Sequence, residues 1–177
     1  MHATWTRSSG THHQPCLRGP PWRLLTYLSS VPFFPSEDSK LRATSLSIRR
    51  GGNCPNSLEV LEQLLVDHDA LQLHLVSPLP NPSSSTTRRI ISSFGPESNI
   101  NFHHCIYRDA STEAASSYII RSEESGSRTL VNYNDLPEMT RDEFEPIVRS
   151  FDPGQETWWH FEVGSTTTSF IRPLVLG

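Results

Sequence analysis

The sequence is almost without lysine: Lys40 is the single lysine among 15 Lys and Arg residues. Lys40 does not follow a GxxxxG stretch, so a Walker-type phosphate loop is excluded, because that loop needs its lysine to reach the phosphates. A Schiff-base lysine would have to be Lys40 as well. Its charged, exposed-looking surroundings argue against that role, which needs a desolvated amine.

Cysteine is also scarce, with Cys16, Cys54 and Cys105 as the only three. The number is odd and no pair has CxxC spacing, which argues against a disulfide framework and favours a reducing compartment. No apolar run approaches the roughly 20 residues of a membrane span. We therefore expect a cytoplasmic protein. A mitochondrial leader stays open as an alternative, because residues 1–36 contain no acid, three Arg and many Ser and Thr.

Positive charge is concentrated at the start of the chain. Residues 1–52 hold seven basic and two acidic residues, or +5, and residues 53–177 hold eight and seventeen, or -9, which together give the net charge of -4. A nucleic-acid-binding domain normally carries a basic face across its folded part. The distribution therefore argues against a nucleic-acid partner.

The hydrophobic fraction of 35% is low and the 14 prolines are many, which predicts that part of the length is loop or disorder. Residues 1–30 lack sustained periodicity and contain the breaker Gly19-Pro20-Pro21, so we expect a poorly ordered leader. After Glu162 the pattern dissolves again, which predicts that 163–177 is an unrelated or disordered tail. The predicted domain is 31–162.

Within that domain strands alternate with helices, which predicts an α/β fold with a small antiparallel sheet beside it. The predicted strands are 40–50, 71–76, 100–107 and 157–161, with a hairpin formed by 116–121 and 128–133. The predicted helices are 55–65, 83–94 and a short one opened by the capping box Thr140-Arg141-Asp142-Glu143, which Pro146 should kink or shorten.

The strongest local motif is Arg50-Gly51-Gly52-Asn53-Cys54-Pro55-Asn56, at a predicted strand-to-helix junction. Two glycines let backbone amides approach a ligand, and the helix N-terminus offers oriented donors. Asparagine side chains three residues apart add donors and acceptors, which suits a polyhydroxylated ligand. An ordinary tight turn with a capping asparagine is the alternative.

At these residues the sequence resembles the PfkB/ribokinase-type carbohydrate kinases, in particular their ketohexokinase-like (fructokinase-like) branch. The likeness covers about residues 31–162. Six segments match in order: 35–42, 50–57, 116–120, 126–131, 134–139 and 159–162. It implies a partial ribokinase-like three-layer fold with a small antiparallel β lid, whose strands are about 38–50 and 116–134.

The resemblance implies a role for each matching residue on the sugar side. Asp38 would hydrogen-bond sugar hydroxyls from the lid edge, although it could simply cap a turn. Gly52, Asn53 and Asn56 would line the sugar site, and Gly51 would permit the turn. The sugar would be one such as fructose or ribose.

Two further residues would lie toward the phosphate. Arg128, on a lid strand, would lie near the sugar or the transferred phosphoryl group, or could instead pair with Glu123 or Glu124. Glu162 would lie near the metal-phosphate region, or could be an exposed strand end.

The departures from the family pattern bear on activity. The first strand of the family ends in an Asp that contacts the sugar, whereas the stretch 26–30 has none. No GxGD, the segment that carries the general base and the anion hole, exists in these 177 residues. Phosphoryl transfer depends on positioning and electrostatics. We therefore expect a truncated sugar-kinase-like chain without a catalytic residue, which binds sugar weakly and neither the ATP nor the Mg²⁺ of the family.

Two alternatives stay open. The chain could be a non-catalytic interaction module that forms a homodimer, or pairs with a full-length relative, through its lid strands. It could also be a gene fragment without an independent role. A zinc site at His103-His104-Cys105 is disfavoured, because only His103 and Cys105 would share a side of a strand and no second ligand pair has suitable spacing.

Overall fold

The computed structural model describes residues 2–7, 24–65, 71–154 and 156–161, the first of these ranges as backbone only. These residues form nine strands and three helices in a mixed α/β arrangement, as predicted. In chain order they are β1 (His2–Arg7), β2 (Leu25–Val31), β3 (Ser45–Arg50), α1 (Asn53–Leu64), β4 (Leu71–Val76), β5 (Pro78–Pro80), α2 (Ser85–Ser92), β6 (Ile106–Arg108), β7 (Ser116–Ser122), β8 (Arg128–Tyr133), α3 (Arg141–Ser150) and β9 (Glu156–Phe161).

The strands form three sheets. In the first, β1 lies between β4 and β9 and runs antiparallel to both. A pair of short parallel strands, β5 and β6, makes the second. The third, which we name the lid sheet, has the order β3-β2-β7-β8. Its hairpin β7–β8 is antiparallel as predicted, but its central pair β2–β7 is parallel, because both strands leave the core at the same end.

The lid sheet has two ends, which we name the near end and the far end. Leu25, Arg50, Ser116 and Tyr133 are cross-strand neighbours at the near end, which adjoins the core. Ser30, Ser45, Arg121 and Arg128 belong to the far end. The amides of residues 24 and 25 both donate to the carbonyl of Ala115, at 2.8 and 3.3 Å, and so tie the near end to the core.

The leader predicted to end at residue 30 extends too far. Leu24 and Leu25 are 0% and 2% exposed, and β2 pairs on both sides within the lid sheet. The prediction was wrong here because the sequence of β2, Leu-Thr-Tyr-Leu-Ser-Ser-Val, has only a weak hydrophobic pattern. Such a segment becomes a strand only when neighbouring strands pair with it. The stretch 26–30 is therefore lid sheet, and not a strand of the sheet formed by β1, β4 and β9.

Local signals placed the helices well. Helix α2 is capped by Ser84, whose hydroxyl accepts a hydrogen bond from the Thr87 amide. The predicted capping box of α3 is confirmed: the Thr140 hydroxyl accepts from the Glu143 amide, and the Glu143 carboxylate accepts from the Thr140 amide. Helix α3 continues through Pro146 to Ser150, so the predicted shortening does not occur.

Arg108 of β6 joins α3 to the rest of the fold. Its guanidinium pairs with both carboxylate oxygens of Glu143 and donates to the carbonyls of Pro137 and Glu138, at 3.1 and 2.6 Å. The hydrogen bond from Arg108 and those from Thr140 lower the pKa of the Glu143 carboxyl to about 2, against some opposition from burial.

The strand predicted over 100–107 does not form as a whole. Only its last two residues, Ile106 and Tyr107, belong to β6. Its alternation of apolar and polar residues is real, but side-chain and backbone bonds turn the chain instead. The side-chain Oδ1 of Asn101 accepts from the His103 amide at 2.7 Å, and the Cys105 amide donates to the Phe102 carbonyl at 3.0 Å. An isolated bridge to His74 is what remains of the pairing.

Buried side chains form two clusters. The larger lies between α1, α2, β4 and the near end of the lid sheet. The smaller comprises Val76, Phe144 and Trp159, and it packs α3 on β4 and β9. Within the described ranges, no helix is both long and apolar enough to cross a membrane.

Candidate functional site

The GGN segment forms a rigid junction between β3 and α1. Gly51 is buried and donates its amide to the Leu24 carbonyl at 2.9 Å. Gly52 is the N-cap of α1 with φ 90 and ψ 139, a backbone conformation that side-chain-bearing residues rarely adopt. Glycine at position 52 is therefore required by the turn itself, and α1 begins directly at Asn53.

A cavity of about 420 Å³ lies along the exposed face of α1. Its polar end is at the first turn of the helix, and its apolar end is one to two turns further on. The first turn contains no acidic residue, so the partial positive charge of the helix N-terminus is not neutralised from within the helix. The lining residues are Asn53, Asn56, Ser57, Val60, Leu61 and Leu64.

Behind this cavity the Arg50 side chain, only 5% exposed, makes the contacts that hold the junction. One guanidinium nitrogen, Nη2, donates to Asn56 Oδ1 at 3.4 Å and pairs with the Glu59 carboxylate. The other, Nη1, donates to Ser93 Oγ at 3.3 Å. The guanidinium carbon lies 3.8 Å from the centre of the Phe94 ring, a cation–π contact.

Sequence reasoning identified Arg50 as the start of the motif but assigned it no role. Its partners Ser93 and Phe94 follow α2, more than 40 residues away. Glu59 is nine residues ahead, a spacing that no local rule for helices or strands connects with Arg50. No sequence signal could have found this set of contacts, because folding alone brings the residues together.

Asp38 lies away from this cavity, in an exposed turn beyond the far end of the lid sheet. The Ser39 amide and hydroxyl both donate to the Ser36 carbonyl, at 3.2 and 2.7 Å. Asp38 has a φ of 62, the left-handed conformation that Asp tolerates in turns. Its local geometry agrees with the turn alternative.

Arg128 also lies at the far end, opposite Arg121 on the neighbouring strand. Five residue steps along β8 separate it from Tyr133 at the near end, about 16 Å at the usual rise of a strand. Among the described residues it pairs with neither Glu123 nor Glu124. The Glu123 carboxylate accepts from the Thr44 hydroxyl at 2.6 Å instead.

The structure therefore brings together four of the predicted site residues and separates two. Gly51, Gly52, Asn53 and Asn56 share one junction, whereas Asp38 and Arg128 lie at the opposite end of the lid sheet. Glu162 lies outside the described residues.

The described ranges contain no group of three or more His, Cys, Asp or Glu placed to hold a metal ion. Cys105 is buried, and burial raises the pKa of its thiol to about 12, which opposes the thiolate that a metal needs. His103 and His104 lie in a turn rather than in a strand, and His104 lies beside His74, with ring centres 5.4 Å apart.

This histidine cluster is electrostatically unusual. Burial, followed by His104 and His103, lowers the pKa of His74 to about 4. Burial and His103 also lower the pKa of His104. Nδ1 of His74 is buried without a hydrogen-bond partner among the described residues, and Phe151 contacts both rings. His74 and His104 therefore pack against the Phe151 ring in surroundings that favour the neutral form of both imidazoles.

No protein-family model matches the sequence, and no curated protein matches it. The fold does match solved structures. One is Arabidopsis thaliana ribokinase complexed with ribose and ATP, at a TM-score of 0.56, with 14% identity over 77% of this chain and 43% of that one. Another is Giardia lamblia ribokinase, at a TM-score of 0.57, with 13% identity over 78% of this chain and 38% of that one.

A third is phosphofructokinase-2 from Escherichia coli in complex with fructose-6-phosphate, at a TM-score of 0.54, with 17% identity over 81% of this chain and 43% of that one. This chain spans about two fifths of the length of the structures it matches. At such identities the likeness concerns the fold. The chain has a partial ribokinase-like fold, similar to that of carbohydrate kinases.

Proposed function

We propose that the chain is the sugar-binding part of a PfkB carbohydrate kinase of the ketohexokinase-like branch. One observation carries the proposal: Gly52 caps α1 in a conformation that other residues rarely adopt, and Asn53 and Asn56 then line a cavity of about 420 Å³. The partial ribokinase-like fold supports it at the level of architecture. The six ordered sequence segments support the branch.

The chemistry of the junction suits a sugar. Each sugar hydroxyl both donates and accepts a hydrogen bond, and an asparagine amide offers both functions. The backbone at Gly52 carries no side chain that would keep a ligand away. Asp38 and Arg128 belong to the proposal as lid residues. Both lie at the far end of the lid sheet, so they would contact the sugar only if that end were brought next to the cavity.

Phosphoryl transfer is outside what these residues offer. The sequence has no GxGD, and the described residues contain neither a phosphate loop nor a cluster of carboxylates that would hold Mg²⁺. We therefore expect the chain to bind neither ATP nor Mg²⁺, and the proposal is confined to the sugar. Glu162 would lie near the metal-phosphate region by resemblance.

Calorimetric titration with D-fructose and D-ribose tests the proposal. We expect binding in the millimolar range, because no first-strand carboxylate contacts the sugar. Asn53→Ala and Asn56→Ala should each abolish the heat signal, whereas Asn99→Ala, an exposed asparagine away from the cavity, should leave it unchanged. An absence of binding by the wild-type chain, or equal loss with Asn99→Ala, would refute the proposal.

A coupled assay of ATP consumption tests the catalytic half of the proposal. The 177-residue chain should show no turnover above background with fructose or ribose. Sugar-dependent turnover would show that the missing base is supplied by another group.

A second candidate function is dimerisation through the lid sheet, favoured by its exposed apolar face. The side chains of Ile48, Tyr27, Tyr118 and Val131 form one row across all four strands, because these residues are cross-strand neighbours. Val131 is 63% exposed, and Leu46 on the same face is 65% exposed. An apolar sheet face of this kind usually marks an interface.

Sedimentation velocity would decide this candidate. Val131→Glu should convert a dimer into a monomer. Asn132→Glu, the next residue of the same strand, points to the other face and should leave the dimer intact. A wild-type chain that sediments as a monomer at all concentrations would exclude the candidate.

A cytoplasmic location is part of the proposal and rests on the odd number of cysteines without CxxC spacing. Fusion of residues 1–36 to a fluorescent reporter tests the alternative of a mitochondrial leader. Diffuse fluorescence is expected, and mitochondrial fluorescence would contradict it.

A further inference from the structure

The amide of Asn56 has two chemically different ends, and its orientation determines what it can recognise. Oδ1 only accepts hydrogen bonds, whereas Nδ2 only donates them. Arg50 offers five donors and no acceptor, so Asn56 can face the guanidinium only with Oδ1. That orientation is the one in the structure, with Nη2 of Arg50 3.4 Å from Oδ1.

We propose that Arg50 is a positioning residue, which fixes the Asn56 amide so that its NH₂ group is presented to the cavity. Asn56 then recognises an oxygen acceptor of the ligand, such as the lone pairs of a hydroxyl group. The identity of the ligand as a sugar rests on the proposed function, whereas the orientation of the amide does not.

Arg50 can act in this way because it is itself held on three sides. Glu59, one helical turn beyond Asn56, pairs with the same nitrogen, and Ser93 accepts from the other one. The Phe94 ring packs against the guanidinium plane. Because the planar guanidinium group is already held in this way, it loses little further conformational entropy when it contacts Asn56.

The surroundings of Arg50 are not those of a side chain placed for packing alone. Its Nε is buried without a partner among the described residues, and a buried unsatisfied donor costs free energy. An apolar side chain would avoid that cost but would leave the Glu59 carboxylate without its guanidinium partner. The contact with Asn56 is a further role for the arginine beside its contacts with Glu59, Ser93 and Phe94.

The bond is long for a hydrogen bond between nitrogen and oxygen, so its contribution lies in direction more than in strength. A lysine at position 50 would keep the positive charge near Glu59. It has no planar fork, so it cannot contact Asn56, Glu59 and Ser93 together while it packs flat on Phe94. Arg50→Lys therefore separates orientation from charge.

The first test needs no ligand. In NMR spectra of the full chain, the Asn56 NH₂ protons should give stronger nuclear Overhauser effects to residues that line the cavity than to the Arg50 guanidinium. In Arg50→Lys both orientations of the amide should be populated. Stronger effects from the NH₂ protons to Arg50 than to the cavity residues in the wild type, or an unchanged pattern in Arg50→Lys, would overturn the proposal.

The second test uses D-fructose as the probe. Loss of one oriented donor should weaken binding about 5-fold in Arg50→Lys, a change typical of one hydrogen bond. Asn56→Asp keeps an acceptor for Arg50 but removes the donors, so it should abolish binding while the thermal midpoint stays level or rises. Glu62→Gln, as a matched control on the same helix, affects a carboxylate that accepts from the Ser98 hydroxyl and does not contact Arg50, and it should bind like the wild type.

The two tests keep the proposals apart. A wild-type chain that binds no sugar refutes the proposed function, and the ligand-free spectra still decide the role of Arg50. If binding in Arg50→Lys falls only in proportion to its loss of stability, Arg50 is structural and the positioning role is wrong.

Discussion

The two ends of the lid sheet are built differently. At the near end Leu25 is 2% exposed, and Arg50 is held by Glu59, Ser93 and Phe94. At the far end the chain is joined by turns, and the fixed points are hydrogen bonds such as that from the Thr44 hydroxyl to Glu123. One end belongs to the core, and the other extends from it.

This difference indicates at which end of the lid sheet the hydrogen-bonding groups can be oriented before a ligand binds. Donors at the near end are oriented before any ligand arrives, because the core holds them. Side chains at the far end, including Asp38 and Arg128, are not held by the core. Ordering them around a ligand would therefore cost conformational entropy and weaken binding. If the chain binds a sugar as proposed, the near end would supply the contacts that are fixed in advance, and the far end would contribute only on closing against the ligand.

The largest expected effect is the loss of core packing at the near end. Leu25→Ala should lower the free energy of unfolding by about 3 kcal/mol, the usual cost of a cavity at a fully buried leucine. Leu46→Ala, at an exposed leucine toward the far end, should cost less than about 0.5 kcal/mol. Urea unfolding measures both. Equal losses would show that the far end is packed against something in solution.

Acid should weaken the core that supports the near end. The pKa of His74 in the folded chain is about 4, below its ordinary value of 6.5. The unfolded chain therefore binds the extra proton, and stability present above pH 6.5 is lost as the pH falls toward 4. Between pH 7 and pH 5 the loss should be about 2 kcal/mol.

The groups that face His74 are His103, His104 and the Phe151 ring, and no carboxylate pairs with it among the described residues. Urea midpoints from pH 7.5 to 4.5 measure the effect. His74→Leu, or the milder His104→Gln, should flatten the profile. If the slope of urea midpoint against pH is unchanged in both variants, groups other than His74 cause the acid sensitivity.

Glycine substitutions compare the backbone at the two ends. Gly52→Ala forces a side chain into a φ of 90 at the N-cap of α1 and should cost about 2 kcal/mol, with loss of any sugar binding. Gly126→Ala, at a φ of 69 in the far turn, has open space for a Cβ and should cost about 1 kcal/mol, with binding unchanged. Thermal unfolding and sugar titration give the two readouts.

The smallest effect is expected for one hydrogen bond of the far end. Thr44→Val removes the donor to Glu123 and keeps the shape of the side chain, so it should cost about 0.5 kcal/mol because the site is exposed. Hydrogen exchange of the turn at 122–127 should quicken, while that of α1 stays the same. Faster exchange in α1 would show that the two ends are coupled.

The parts of the fold that the sequence predicts correctly are those whose causes lie close together in the chain. The capping box at Thr140 and the hairpin of β7 and β8 are examples, because their partners are at most 17 residues apart. The predicted strand over 100–107 failed for a related reason. Its alternation is compatible with a strand, but Asn101 bonds to a neighbouring amide and turns the chain.

The candidate site divides in the same way. Its glycines and asparagines were predicted from the motif, and the structure gathers them at one junction. The separation of Asp38 and Arg128 from that junction, and the contacts of Arg50, depend on which strands pair in the lid sheet. Pairing of that kind is not encoded in any short window of residues.

The sequence by itself determined the absence of a Walker-type lysine, the strand–GGN–helix junction and the starts of α2 and α3. Composition, glycine conformation and capping chemistry act locally, so reading the residues is enough. Only the tertiary structure decided that Arg50 meets Ser93 and Phe94, and that β2 joins the lid sheet in parallel with β7. Those contacts join residues more than 40 positions apart, and they exist because burial of the core compensates the entropy of closing such loops.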